Sequence, residues 1–242
     1  MPYKFATGQS DYSDFSSGRV FYSLPGHPAF PVRLASEILQ RCLATRATTA
    51  PCLLYDPCCG AAYQLSVLAC LHGDRIGEVI GSDIDAKAVA LATQNLGLFS
   101  AGGLERRARQ IAEMLSLYGK ASHQDALASA GRLRERLAGQ PAPKTSVFQA
   151  SALNGAALRQ YFDGRTVDIV LTDVPYGQHS QWQDAGGNPI HAMLAALLGV
   201  LSSTGVVAIS SDKQQKAAHE RYQRIEHFQV GKRRVVILRP IF

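Results

Sequence analysis

With 242 residues, 46% of them hydrophobic, and a mean hydropathy of −0.04, the chain has the size and composition of one α/β globule, with little length left for a second domain. Its apolar runs fall short of the roughly 18 residues of a membrane span, and Met1 to Gly8 lack the apolar centre of a secretion signal, so a cytoplasmic protein off the membrane is expected. The net charge of +6 is uneven: residues 51–100 carry two basic and five acidic residues, whereas residues 213–242 carry eight and two. An acidic centre with basic margins suits a polyanion lying across a site built for a cation, although a merely solvated basic surface would look the same.

Taken in chain order, residues 1–30 are rich in Gly, Ser, Pro and aromatics without a sustained period, and read as an ordered lead-in or a covering arm. Pro31 then opens a helix through Leu43, with Leu34, Ile38 and Leu39 at helical spacing, so that residues 1–48 form an N-terminal arm and helix. From residue 52 the pattern alternates: strands at 52–56, 78–83, 145–149, 167–172 and 204–210, with helices at about 62–72, 86–98, 153–162 and 190–201. Such alternation implies right-handed crossovers and a mostly parallel sheet covered on both faces. The segment His227 to Leu238 breaks the rhythm, reading as two strands joined at Gly231-Lys232, a terminal hairpin.

Residues 99–144 are also out of rhythm, since a direct connection there needs only about 2–6 residues. They read as an insertion of two helices, near 103–117 and 122–138. The five cysteines (Cys42, Cys52, Cys58, Cys59 and Cys70) lack the spacing of a zinc site, so reduced, packed thiols are expected and no metal is required.

Two groups of residues carry chemistry. The first is Leu53-Leu54-Tyr55-Asp56-Pro57-Cys58-Cys59-Gly60 with Val79-Ile80-Gly81-Ser82-Asp83-Ile84. In a strand–loop–helix unit the loop brings backbone N–H groups to a ligand, and Gly60 keeps a Cβ out of the way. Asp56 is placed for the amino-acid part of a cofactor, Asp83 for its ribose hydroxyls, and Ser151, after the third strand, for an adenine amine. Cys58, Ala62, Ile84 and Asp173 complete the expected cofactor contacts. The donor this pattern suits is S-adenosylmethionine. A nicotinamide dinucleotide site shares the glycine loop and the acidic strand end, but G-x-G-x-x-G is absent. If position 62 requires φ > 0, its alanine costs on the order of 1 kcal/mol.

The second group is Asp173-Val174-Pro175-Tyr176, at the end of the run 167–172. A carboxylate, a proline and an aromatic ring at a strand end can hold a planar amide or base edge while its nitrogen is methylated. Asp173 accepts from the nitrogen and Tyr176 stacks on the base for roughly 1–3 kcal/mol, and Pro175 is counted with them as catalytic. Guanine offers two neighbouring donors, N1–H and N2–H, that one carboxylate can accept, so Asp173 tilts the reading towards guanine. An Asp-x-Pro-Tyr turn that merely ends a strand is the plain alternative. His179 and Trp182 follow as a lid over the base or as loop packing. Arg106, Arg107, Arg132 and Arg134 in the insertion, and Lys232, Arg233 and Arg234 in the hairpin, are candidates for gripping RNA phosphate.

Gly18-Arg19-Val20, the stretch Pro25 to Ala35, Asp56-Pro57-Cys58-Cys59-Gly60 and Thr172-Asp173-Val174-Pro175-Tyr176-Gly177 closely resemble the AviRa-type avilamycin-resistance rRNA methyltransferases, over nearly the whole chain. The family pattern carries Ser-Gly where this chain has Ala61-Ala62, and Asp where it has Ser151. The resemblance implies a Rossmann-like class I methyltransferase of residues 1–242, with a mostly parallel seven-stranded sheet, a C-terminal antiparallel hairpin and a two-helix insertion. It further implies methylation of a guanine of large-subunit 23S ribosomal RNA, giving resistance to orthosomycins such as avilamycin; a monomer is expected. Methylation of DNA adenine or protein glutamine, a nucleotide-dependent oxidoreductase, and a silent RNA-binding module stay open as alternatives. N1 and N2 of guanine are equally open.

Overall fold

The computed structural model describes residues 3–24, 29–175, 182 and 187–242. Helix α1 (Val32–Ala44) precedes β1 (Cys52–Asp56), α2 (Tyr63–Leu71), β2 (Ile76–Asp83) and α3 (Ala86–Leu96). The insertion forms α4 (Gly103–Tyr118) and α5 (Ala121–Ala138). The chain continues through β3 (Lys144–Gln149), α6 (Gly155–Phe162), β4 (Val167–Asp173), α7 (Pro189–Leu197), β5 (Leu201–Asp212), β6 (Tyr222–Val230) and β7 (Arg233–Pro240). Side chains that accept from first-turn N–H groups start three of the helices: Asp85 for α3, Asn154 for α6 and Asn188 for α7.

The sheet has seven strands in the order β3-β2-β1-β4-β5-β7-β6, with β7 antiparallel to both of its neighbours. Its hairpin turns at Gly231-Lys232, where it was expected. The central strands are near-continuous apolar runs because both faces are covered. On one side α1 to α5 close over Leu54, Val79, Leu171 and Val235. On the other, α6 and α7 close over Tyr55, Ile80, Val170 and Val236. From β1 the chain moves outward to β2 and β3, then returns to β4 on the opposite side of β1. Crossovers diverge between β1 and β4, so the crevice of this sheet lies at their carboxyl ends, between Asp56 and Asp173.

Several bounds shift: β2 starts at Ile76 and β6 at Tyr222, ahead of the expected 78 and 227. The last crossover helix ends at Leu197 and not near 201, because Val200 closes a turn onto Leu197 and Leu201 already pairs with Val167. Strand β5 therefore starts three residues before the expected 204. Among the described residues, no helix is long and apolar enough to cross a membrane.

The N-terminal segment is a covering arm. Buried Glu37 on α1 accepts the backbone N–H groups of Lys4, Phe5 and Ala6 at 2.6, 2.8 and 2.7 Å and also the Nε of Arg41. Burial alone would raise its carboxyl, but these donors hold it below the usual carboxylate range. Farther along, Phe15, Val20 and Phe21 are buried in the α1-side core, and Phe21 meets Tyr63 edge-on. Tyr63 also donates its hydroxyl to Phe15 O.

Candidate active site

The turn after β1 is fixed by β2 beside it. Cys58 N–H bonds Asp56 Oδ1 at 3.0 Å, Cys59 N–H bonds Ser82 O at 2.9 Å, and Gly60 N–H bonds Asp83 Oδ2 at 2.8 Å. Close approach of the turn to β2 needs Gly81, where a Cβ would stand 2.9 Å from Cys59 Sγ. Gly60 has φ +52° and opens onto free space. Ala62 also lies in the left-handed region, at φ 54°, and caps α2. It is fully buried, so it sets the path of the turn and does not face the crevice.

Asn95 of α3, fully buried, ties this turn to the arm. Its side chain donates to Ala61 O at 2.7 Å and Tyr22 O at 2.9 Å, and accepts Tyr22 N–H at 2.8 Å. Sequence reasoning missed it, because a single Asn at the end of an amphipathic helix carries no local signal of a distant partner.

Two cavities open at the carboxyl ends of the strands. The first brings together Cys58, Asp83, Ile84, Ser151, Pro175 and Trp182. Its apolar walls and the strand-end carboxylate suit a nucleoside. Ser151 Oγ accepts Leu153 N–H at 3.3 Å, and Asp83 Oδ1 accepts Asp85 N–H at 3.0 Å. The second is lined by Asp56, Gly60, Gln64 and Asp173, with Tyr22 and Phe30 from the arm side. Cys58 lines both and forms their shared wall. Those sequence-predicted cofactor and catalytic residues that are described are thus brought to one crevice, Ala62 excepted. Tyr176 and His179 lie outside the described residues.

Burial pushes the Asp56 carboxyl up to about 7, opposed by Thr172 and the Cys58 N–H and aided by the nearby charges of Asp83 and Asp173. Beside it, the buried amide of Gln64 has an Nε2 with no hydrogen-bond partner among the described residues. Gln64 was also missed. The signal was present, since an amide near the start of the mostly apolar α2 has no reason to be buried unless something there needs a donor.

The basic candidates part company. Arg107 is buried: its guanidinium donates to Val20 O at 2.8 Å and Arg19 O at 3.2 Å and stacks on Tyr22. It serves the arm and offers nothing to phosphate. Arg132 forks onto Asp14, with Nε at 2.9 Å from both carboxylate oxygens. Arg106 is exposed and reaches back to Ala101 O and Ser100 Oγ. Arg134, also exposed, shares a groove with Glu105 of α4. Lys232 is exposed in the hairpin turn and Arg234 is half-buried. Arg233 turns inward, its Nε 4.0 Å from Asp173 Oδ1.

A family model described as rRNA methyltransferase AviRa matches residues 1–233. A curated protein of Streptomyces viridochromogenes, named 23S rRNA (guanine(2535)-N(1))-methyltransferase, is 38% identical over 98% of this chain and 95% of its own length. The solved structure of rRNA methyltransferase AviRa from the same organism superposes with a TM-score of 0.89, at 38% identity over 99% of this chain and 96% of that one. TrmN from Thermus thermophilus shares the fold alone, with a TM-score of 0.50 and 17% identity over 88% of this chain and 49% of its own. The turn after β1, the acidic end of β2 and the Asp-Val-Pro end of β4 thus sit in one crevice of a chain that belongs to the AviRa family of rRNA methyltransferases.

Proposed function

We propose that the protein transfers the methyl group of S-adenosylmethionine to N1 of a guanine in large-subunit ribosomal RNA. The observation that carries this reading is the pair of cavities that share Cys58, with Asp83 lining one and Asp173 the other. The relative from Streptomyces viridochromogenes is named for guanine N1, and a carboxylate aimed at a Watson–Crick edge accepts N1–H and N2–H together. Orthosomycin resistance and action in the cytoplasm, where ribosomes work, follow from the same reading.

The residues fit the donor. When bound, S-adenosylmethionine supplies an electrophilic methyl group on a positively charged sulfur. Asp83 would hold the ribose hydroxyls, Ile84 and Trp182 would cover the adenine, and Ser151 would meet its amine. Gln64 supplies an unused donor for the carboxylate of the amino-acid part, and Asp56 a partner for its ammonium. Asp173 receives the base edge, Pro175 stiffens the turn that carries it, and Tyr176 is the aromatic face for the base.

The raised Asp56 carboxyl makes cofactor affinity depend on pH. In the free protein Asp56 is protonated below about 7, whereas an ammonium partner favours the carboxylate. Affinity should therefore rise up to about tenfold per pH unit as pH approaches 7 from below, then level off. Asp56→Asn should flatten that profile, as read by calorimetry with S-adenosylmethionine; an Asn variant that keeps the slope would assign it elsewhere. The same shift lowers fold stability as pH rises from 3.8 towards about 7, because the folded state holds the proton more tightly than the unfolded chain.

RNA docking falls to the exposed arginines of the insertion. Replacing Arg106 and Arg134 with Gln should weaken RNA binding and reduce its log–log salt slope by about 0.7–0.9 for each phosphate no longer neutralised, with cofactor affinity intact. Arg107→Gln should instead reduce stability, by roughly 1–3 kcal/mol, because it strands the Val20 and Arg19 carbonyls. An unchanged salt slope in the double variant would move the docking surface to Lys232 and Arg234. The reading as a whole is tested by incubating the protein with radiolabelled donor and 23S rRNA, free or in the assembled subunit. Transfer to RNA supports it, and transfer to neither form sinks it.

A further inference from the structure

We propose that Arg233 takes part in the reaction itself, holding O6 of the guanine while Asp173 removes the N1 proton. The assignment rests on the guanine-N1 reading above.

Strand geometry brings the two side chains together. Leu171 and Val235 both enter the α1-side core. Side chains two residues apart on a strand share a face, so Asp173 and Arg233 face that side too, at the rim. Asp173 pairs with Ser210 and Arg233 with Asp212 on β5, which lies between them. Across that strand the Arg233 Nε stops 4.0 Å from Asp173 Oδ1, too far for a hydrogen bond. It has no hydrogen-bond acceptor among the described residues. The guanidinium lies 5.1 Å from the ring of Phe30, which lines the same cavity as Asp173. A cation is thus fixed beside the catalytic carboxylate without being saturated by it.

Guanine chemistry needs such a cation. Neutral guanine has no in-plane lone pair at N1; one arises only when N1–H is removed, and the resulting charge is shared with O6. Asp173 takes that proton. The electron pair left on N1 forms the bond to the methyl carbon, and the carbon–sulfur bond breaks with its pair going to sulfur, leaving a neutral thioether. The proton then passes from Asp173 to water. An arginine donating to O6 stabilises the charge as it develops. It also discriminates, because adenine carries a donor amine where guanine carries O6, and donor would face donor. A phosphate contact is the competing role for Arg233, but the side chain is only 24% exposed, and its neighbour Lys232 is the one turned to solvent.

The test is single-turnover transfer to rRNA at saturating RNA and donor, from neutral to alkaline pH, with Arg233→Met and Arg233→Lys in the full-length protein. Identification of the wild-type product comes first, and a methyl group anywhere but N1 removes the underlying reading and this inference with it. With N1 established, Arg233→Met should be about 100-fold slower at neutral pH. Its rate should recover on the alkaline side, with a midpoint at least one pH unit above wild type, while S-adenosylmethionine affinity is unchanged. Arg233→Lys, which keeps the charge, should fall between. If the Met variant fails to fold, the Lys variant still decides, by its smaller shift in the same direction. Profiles parallel to wild type, or a loss confined to RNA affinity and its salt slope, would overturn the assignment.

Discussion

Asp173→Ala should slow methyl transfer by about 100-fold or more while S-adenosylmethionine affinity changes by no more than a few-fold. Asp173 is the last residue of β4 and lines the cavity away from Asp83, Ile84 and Ser151, so its loss leaves the nucleoside wall intact. Its charge also helps to raise the Asp56 carboxyl. Removing it should move the cofactor-affinity profile slightly towards acid pH and leave its plateau in place. Near-normal turnover in the Ala variant would end its assignment as the group that receives the base.

Asp83→Ala should act on the other substrate. It should weaken cofactor binding by roughly 1.5–3 kcal/mol, the worth of a charge-assisted acceptor, with RNA affinity unchanged. The geometry adds a second consequence. Asp83 also accepts Gly60 N–H at 2.8 Å and Asp85 N–H at 3.0 Å, so its loss frees the turn as well as the ribose. Asp83→Asn separates the two effects, since it keeps a carbonyl oxygen for one backbone donor but lacks the charge for two hydroxyls. Unchanged cofactor affinity in both variants, measured by calorimetry, would make Asp83 a structural cap of the turn.

Much of this was legible in the chain because local chemistry and tertiary role agree. Strand β1 lies between Pro51 and Pro57, so its limits could be read directly. The acidic residues at the ends of β1, β2 and β4 became a site once alternation implied a parallel sheet. Strand β5 was read short because the apolar helical run was carried on to 201 and Ser202-Ser203 looks like a loop, and only its pairing with β4 extends it to Leu201. The arm has no period at all. What orders it is Glu37, Asn95, Tyr63 and Arg107, from three helices and an insertion, and no local window contains that information.

Arginines show the limit most clearly. Charge counting places Arg106 and Arg107 in one cluster, but adjacent positions on a helix point about 100° apart. One meets solvent and the other meets the arm. Arg233 and Arg234 divide the same way on a strand, where neighbours take opposite faces. The strand order, with β7 inserted beside β5, then carries Arg233 to Asp173. That order is a property of the sheet and not of the hairpin sequence.

The central claim is a transfer to the Watson–Crick edge of guanine, and mass spectrometry of nucleosides from rRNA treated with the protein and isotopically labelled donor tests it most directly. The account predicts labelled N1-methylguanine from large-subunit RNA, absent when Asp173→Ala replaces the wild-type chain. Label in a methylated adenine, in a ribose, or undiminished in the Asp173→Ala reaction would contradict it.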